Sequence, residues 1–185
     1  MVGNTGAGKS TVARALAERL EAPWVELDAI FHQEHWQPIE LTEFRARVCA
    51  VVAGDAWVVD GRYSAVADLV RARADTIVWV DLPRSTVMRQ LIGRSLRRVV
   101  RREVLWNGNR ERWRDLIRRD PQKSVLAYAW KNHNANTRRF EVIAAETAAT
   151  TNTSFVRLHS RADIDRFLGA GRPGSPPRPE RRTDA

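Results

Sequence analysis

The sequence predicts a three-layer α/β fold, a parallel sheet with helices on both faces. Three observations predict it. Apolar strand-like runs alternate with helical patterns along the chain. Two of those runs, Trp57-Val58-Val59 and Thr76-Ile77-Val78-Trp79-Val80, are apolar throughout, as strands buried on both faces are. A glycine-rich stretch opens the first amphipathic helix. The length of 185 residues fits one domain. Apolar residues make up 43%, enough for a sizeable core.

The elements follow in order. Ser10 to Glu21 is a helix, with Ala13, Leu16, Ala17 and Leu20 on one face. Trp24 to Leu27 is a short strand ending at Asp28. Residues 29–41 form a loop rich in His and Trp. Thr42 to Ala53 is a helix with Phe44, Val48, Val51 and Val52 apolar. Gly54-Asp55 turns the chain into the strand that ends at Asp60-Gly61. A helix from about Ala65 to Ala74 leads to the third strand, which ends at Asp81. Pro83 opens an Arg-rich helix to about Arg102. Asp120-Pro121 caps a long helix to about Glu146, with Leu126, Trp130, His133, Phe140 and Ala144 in phase. A polar loop, 147–153, leads to the strand Ser154 to Leu158. Ser160 to Asp163 is a capping box before the last helix. Residues 169–185 turn to Gly, Pro and Arg and read as a disordered tail. Trp24, Trp57, Trp79, Trp130 and Cys49 are read as core.

No run of about 18 apolar residues exists, so no membrane span is expected. The start has no basic segment followed by an apolar one, so no secretory signal is read and the cytoplasm is the default. Cys49 is the only cysteine, which excludes an internal disulfide and a multi-cysteine metal site. His32 and His35 lack a third ligand and the spacing of a zinc motif.

The net charge is +9, carried by 28 Arg and 3 Lys against 22 acidic residues. Residues 84–119 hold 12 Arg against Glu103, Glu111 and Asp115, a surplus equal to that of the whole chain. Arginine grips phosphate oxygens in a bidentate fork. Such a segment is a solvated helix, a nucleic-acid stripe or an arginine lid over a polyphosphate. Composition does not choose among them.

Gly3-Asn4-Thr5-Gly6-Ala7-Gly8-Lys9-Ser10 fits the phosphate-binding pattern G-x-x-x-x-G-K-[ST]. The loop N–H groups form a nest, and the following helix offers its positive end. Lys9 reaches the β- and γ-phosphates, and the Ser10 hydroxyl suits Mg²⁺, a hard ion. The expected ATP contacts are Gly3, Asn4, Thr5, Gly6, Ala7, Gly8, Lys9, Ser10 and Thr11. Only Met1 and Val2 precede the loop, whereas a buried strand runs to about five or six residues. The reading frame is therefore expected to begin further upstream.

Asp28, Asp60 and Asp81 each follow a strand, where ligands of such sheets collect. Asp60 is the first choice to assist Mg²⁺ through its waters, beside Ser10. Asp81 is read as a helix cap. Asp28 takes the proton of a hydroxyl acceptor, or supports a phosphate acceptor.

With these residues in place, the chain resembles the adenylate-kinase-like P-loop kinases, most of all the bacterial DNA topology modulation proteins. The likeness runs from Gly3 to about Leu168. It rests on the phosphate loop, Leu27-Asp28-Ala29-Ile30-Phe31, Trp57 through Tyr63, Trp79-Val80-Asp81-Leu82-Pro83-Arg84 and Gly108-Asn109-Arg110-Glu111. It implies a P-loop NTPase domain over 1–168 with a five-stranded parallel core. It implies an acceptor site near 28–63 and an Arg-rich lid at about 94–120. Asp60-Gly61 matches the family's Asp-Gly pair beside Mg²⁺. Arg62 stands near the position of its acceptor-gripping arginine, without the family's Phe-Pro-Arg. Arg94 matches the lid arginine, with Arg89 behind it. Arg138 and Arg139 resemble the arginines that complete the phosphate cage, and His159-Ser160-Arg161 is the candidate adenine loop.

The leading expectation is a kinase using ATP and Mg²⁺. Its catalytic residues are Lys9, Asp28, Asp60 and Arg94, and its acceptor contacts are Asp28, Arg62 and Arg138. The acceptor is a nucleoside monophosphate or a small hydroxyl metabolite. The rival is a nucleic-acid-associated ATPase or regulator of DNA topology, which the basic stretch supports. No nucleic-acid-binding module is recognised to support it, and no guanine motif supports a GTPase.

Overall fold

The computed structural model describes residues 1–118, 120, 124–150 and 153–169. Five parallel strands and eight α-helices are seen among them: β1 (Val2–Gly3), α1 (Lys9–Leu20), β2 (Trp24–Glu26), α2 (Leu27–Phe31), α3 (Leu41–Val52), β3 (Val58–Asp60), α4 (Ala67–Arg73), β4 (Thr76–Val80), α5 (Arg84–Val100), α6 (Trp113–Ile117), α7 (Val125–Thr150), β5 (Ser154–Leu158) and α8 (Arg161–Gly169). No helix among the described residues is long and apolar enough to cross a membrane.

The strands form two sheets, not the expected single sheet of five. One has the order β1-β4-β5, the other pairs β2 with β3, and all pairing is parallel. The reason is the brevity of β1. Its two residues pair with Trp79 and Val80 of β4. Toward β3 only the Met1 main chain reaches, with its nitrogen donating to the Val59 carbonyl (2.6 Å) and its carbonyl accepting from Gly61 N–H (3.4 Å). Two such bonds bring the sheets edge to edge without a continuous ladder.

Side chains alternate across a strand, so each sheet packs helices on both faces. In β4, Val78 and Val80 face Val12 of α1 and Ile164 of α8. Trp79, fully buried, faces Phe140 of α7, with ring centroids 5.4 Å apart. In β3, Val58 meets Ala13 and Ala17 of α1, whereas Val59 meets Phe44, Val48 and Val52 of α3. Phe44 and Val48 are fully buried, each contributing roughly 1.5–3 kcal/mol by burial.

Several local expectations are corrected. Residues 27–31 are helical, because Leu27 buries into the α3 core while Asp28 occupies the first turn. The long helix starts at Val125 and runs to Thr150, past the expected end near Glu146, with Thr147 buried on its inner face. Trp130 is 58% exposed, with the Arg84 guanidinium 3.7 Å above its ring. Cys49 is exposed, on the outer side of α3. Asp81 caps nothing. It accepts from Arg157 (2.6 and 2.9 Å), and α5 begins at Arg84 with Pro83 as its N-cap and no side-chain cap. The box before α8 does form, Ser160 Oγ accepting from Asp163 N–H while the Asp163 carboxylate accepts from Ser160 N–H. Pro121 and residues 170–185, including almost all of the expected tail, lie outside the described residues.

Candidate active site

The β1–α1 loop sits between the carboxyl end of β1 and a helix start. Gly3 has φ +143, and a Cβ there would lie 2.4 Å from the Val80 carbonyl oxygen. Glycine is therefore what lets β1 lie against β4 at the loop entrance. Gly8 is the N-cap of α1, and no side chain caps that helix. Its positive end is left to an anion.

Lys9 is half-buried, and its ammonium donates to the Asn4 carbonyl across the loop (3.1 Å). Burial lowers its pKa and Arg94 adds to that, while Asp60 and Asp28 oppose it. Ser10 Oγ donates to the Asp60 carboxylate. Asp60 is 5% exposed, and its Oδ1 is buried with no hydrogen-bond partner among the described residues. A hydroxyl and a partnerless carboxylate oxygen beside a phosphate loop form an all-oxygen donor set, the kind Mg²⁺ prefers. The residues fit that ion.

Eight of the nine expected ATP contacts line one cleft of about 1290 Å³: Gly3, Thr5, Gly6, Ala7, Gly8, Lys9, Ser10 and Thr11. Asn4 does not. Its side chain is buried against α7, donating to the His133 carbonyl and Thr137 Oγ1 (both 3.5 Å) and accepting from Asn136 (3.2 Å). The loop is thereby tied to the helix that follows the Arg-rich segment.

Asp28, Asp60, Arg62 and Arg94 line the same cleft. Arg94 projects from within α5, mostly buried, and burial with the neighbouring Arg98 lowers its pKa. Arg62 is half-buried, its guanidinium 5.5 Å from the Phe140 ring centre. Arg138 does not join them. It lines a separate depression with Asp81, His133 and His159. Arg89 is exposed on α5, outside the cleft. Of the expected adenine loop, Arg161 reaches the cleft, whereas Ser160 is held in the α8 cap and His159 stands 3.5 Å from Asp81.

Three features are not evident from the sequence. Tyr63 Oη donates to Asp28 (2.5 Å) and lies 3.5 Å from His32 Nε2. Burial and the Asp28 charge push the phenol pKa well above its ordinary value, so Tyr63 remains a donor. Burial lowers the His32 pKa. The third is the Trp106–Asn109 turn, which packs on the 29–37 loop and brings Trp106 to the cleft. A polar aromatic just after Asp60-Gly61 was the one available signal for Tyr63. The Asn-Gly-Asn run signalled a turn but not what it docks on.

The family model described as shikimate kinase matches residues 5–41, from within the phosphate loop to the start of α3. No curated protein matches. Among solved structures, a gluconokinase from Sinorhizobium meliloti 1021 is similar at 16% identity, over 91% of each chain, with a TM-score of 0.45. The matched segment carries Lys9, Ser10 and the α2 turn with Asp28. It indicates a kinase, a nucleotide-binding transferase of the P-loop kind.

Proposed function

We propose that the chain transfers the γ-phosphoryl group of ATP to the hydroxyl of a small metabolite. One observation carries the reading. Asp28, a carboxylate with no cationic partner in hydrogen-bond contact among the described residues, stands in the same cleft as Lys9, Asp60 and Arg94. The loop backbone and Lys9 hold the polyphosphate, and Ser10 and Asp60 would hold Mg²⁺. When bound, that ion neutralises charge on the β- and γ-oxygens. Asp28 accepts the proton of the acceptor hydroxyl. The acceptor oxygen bonds to the γ-phosphorus as the bridging β,γ-bond breaks, and ADP leaves. Arg94 stabilises the charge on the moving phosphoryl. The segment at about 94–120 acts as the lid, excluding water from the transfer.

The test is ATP-dependent product formation with small hydroxyl compounds and nucleoside monophosphates, using Lys9→Ala and Asp28→Asn. Transfer to a hydroxyl compound should vanish in Lys9→Ala and fall at least about 100-fold in Asp28→Asn. Transfer to a monophosphate that is unaffected by Asp28→Asn would overturn the assignment of Asp28 and put Arg62 in its place.

A further inference from the structure

We propose that Asn109 is a positioning residue for the acceptor subsite. It fastens the Trp106–Asn109 turn to the 29–37 loop, setting Trp36 and Trp106 as an aromatic wall for the face of a ring-bearing alcohol. This rests on the reading of Asp28 as the acceptor-side base.

Asn109 is 4% exposed. Its Nδ2 donates to the carbonyls of Gln33 (2.8 Å) and Trp106 (2.9 Å), and its Oδ1 accepts from Trp36 N–H (2.8 Å). One amide thus joins two segments 73 residues apart, with both of its polar atoms satisfied. Asn107 adds a donation to the His32 carbonyl (2.6 Å), and Trp106 Nε1 donates to Glu26 (2.8 Å).

The backbone shows what this clasp holds. His35 and Trp36 lie at φ +59 and +61. Left-handed geometry at two successive non-glycine residues, one of them Trp, is strained. Such strain persists only where the surroundings over-determine it, and the Asn109 bond to Trp36 N–H is that restraint. The product is a corner of rings. His32 and Trp106 are near-parallel, 6.3 Å between centroids, and Trp36 stands across both at 76° and 85°. His32, Trp36 and Trp106 line the cleft with Asp28, and Trp36 is 39% exposed. An aromatic corner beside a base favours a flat ring, whose face stacks, over an open chain. An aromatic ring and the C–H face of a saturated ring share that chemistry.

Adenosine and cytidine test the aromatic source, myo-inositol the saturated one, and glycerol and gluconate the open chain. Each is assayed as acceptor, and by quenching of tryptophan fluorescence, with the parent protein, Asn109→Ala, Asn109→Asp and the milder Trp106→Phe. Asn109→Asp keeps the acceptor for Trp36 N–H but turns an oxygen toward two carbonyls, so it should resemble Asn109→Ala. The expected result is a ring alcohol as best acceptor, its KM raised at least tenfold by both Asn109 changes with the ATP KM within twofold. Trp106→Phe, which keeps a ring, should fall between. An open-chain compound as best acceptor, or equal shifts in both KM values, overturns the proposal while leaving the kinase reading intact. If no compound is phosphorylated, the reading of function fails. The subsite then stands on quenching by a ring alcohol that weakens in Asn109→Ala, and falls if none quenches. Circular dichroism keeps an unfolded variant from being scored, and Trp106→Phe then decides alone, an unchanged acceptor KM or quench refuting the wall.

Discussion

Adding one methyl group at Gly3 and at Gly93 should change stability in opposite directions. At Gly3 the new Cβ lies 2.4 Å from the Val80 carbonyl oxygen, where real Cβ atoms come no closer than 3.0 Å. The strand must retreat by about 0.6 Å, and the obstacle is backbone in a buried strand, which has nowhere to yield. The φ of +143 adds strain of about 1–3 kcal/mol for a side-chain-bearing residue. Each β1–β4 hydrogen bond that opens costs about 0.5–1.5 kcal/mol more. The total is about 2–5 kcal/mol, or a melting temperature lower by about 5–15 °C for a chain of this size. Gly93 lies within α5 with nothing within 4 Å of its virtual Cβ. Alanine there should stabilise by about 0.5–1 kcal/mol through its helix propensity, raising the melting temperature by about 1–4 °C. Differential scanning fluorimetry reads both, and ATP binding should weaken only in Gly3→Ala. A Gly3→Ala protein melting with its parent would falsify the claim that β1 anchors the loop against β4. A stabilised Gly93→Ala with unchanged turnover would show that the proposed lid has no hinge at Gly93.

Tyr63→Phe removes a hydrogen bond to a carboxylate, worth about 1.5–3 kcal/mol; the acceptor kcat/KM should fall about 10–100-fold while the ATP KM stays put, as steady-state kinetics will show. Burial lowers the pKa of His133, which is 7% exposed with no partner for its Nδ1 among the described residues, and Arg84 adds to this. Its folded pKa lies below its unfolded value of about 6.5, so the unfolded chain binds more protons in between. Stability should therefore fall as pH drops below about 6.5, and urea midpoints should show a shallower fall in His133→Gln. Ser160→Ala breaks the reciprocal cap of α8 and should cost about 0.5–2 kcal/mol in urea unfolding.

The fold was legible where the signal is local. β4 and β5 match their expected bounds, and α1, α3, β3 and α5 fall within about two residues, because apolar runs and periodicity are properties of neighbouring residues. Misjudged elements share a physical cause. Trp130 was read as core from its phase on α7, yet Arg84, arriving from α5, gives its ring a partner at the surface. Asp81 was read as a cap, yet Arg157 on the adjacent strand claims its carboxylate. In each case a residue distant in sequence won over the local preference.

The candidate site divides the same way. By itself the sequence put G-x-x-x-x-G-K-S at the turn into α1, since eight consecutive residues state that backbone, and it put Asp60 at the end of β3, whereas Asp28, expected at a strand end, lies in the first turn of α2. Tertiary structure alone decided that the Asn4 side chain serves α7 rather than the cleft, that Arg138 faces a different depression, and that Tyr63 donates to Asp28. It alone brought Asn109 to Trp36. Such contacts join segments tens of residues apart. They depend on which faces of packed elements meet, and no local pattern encodes that.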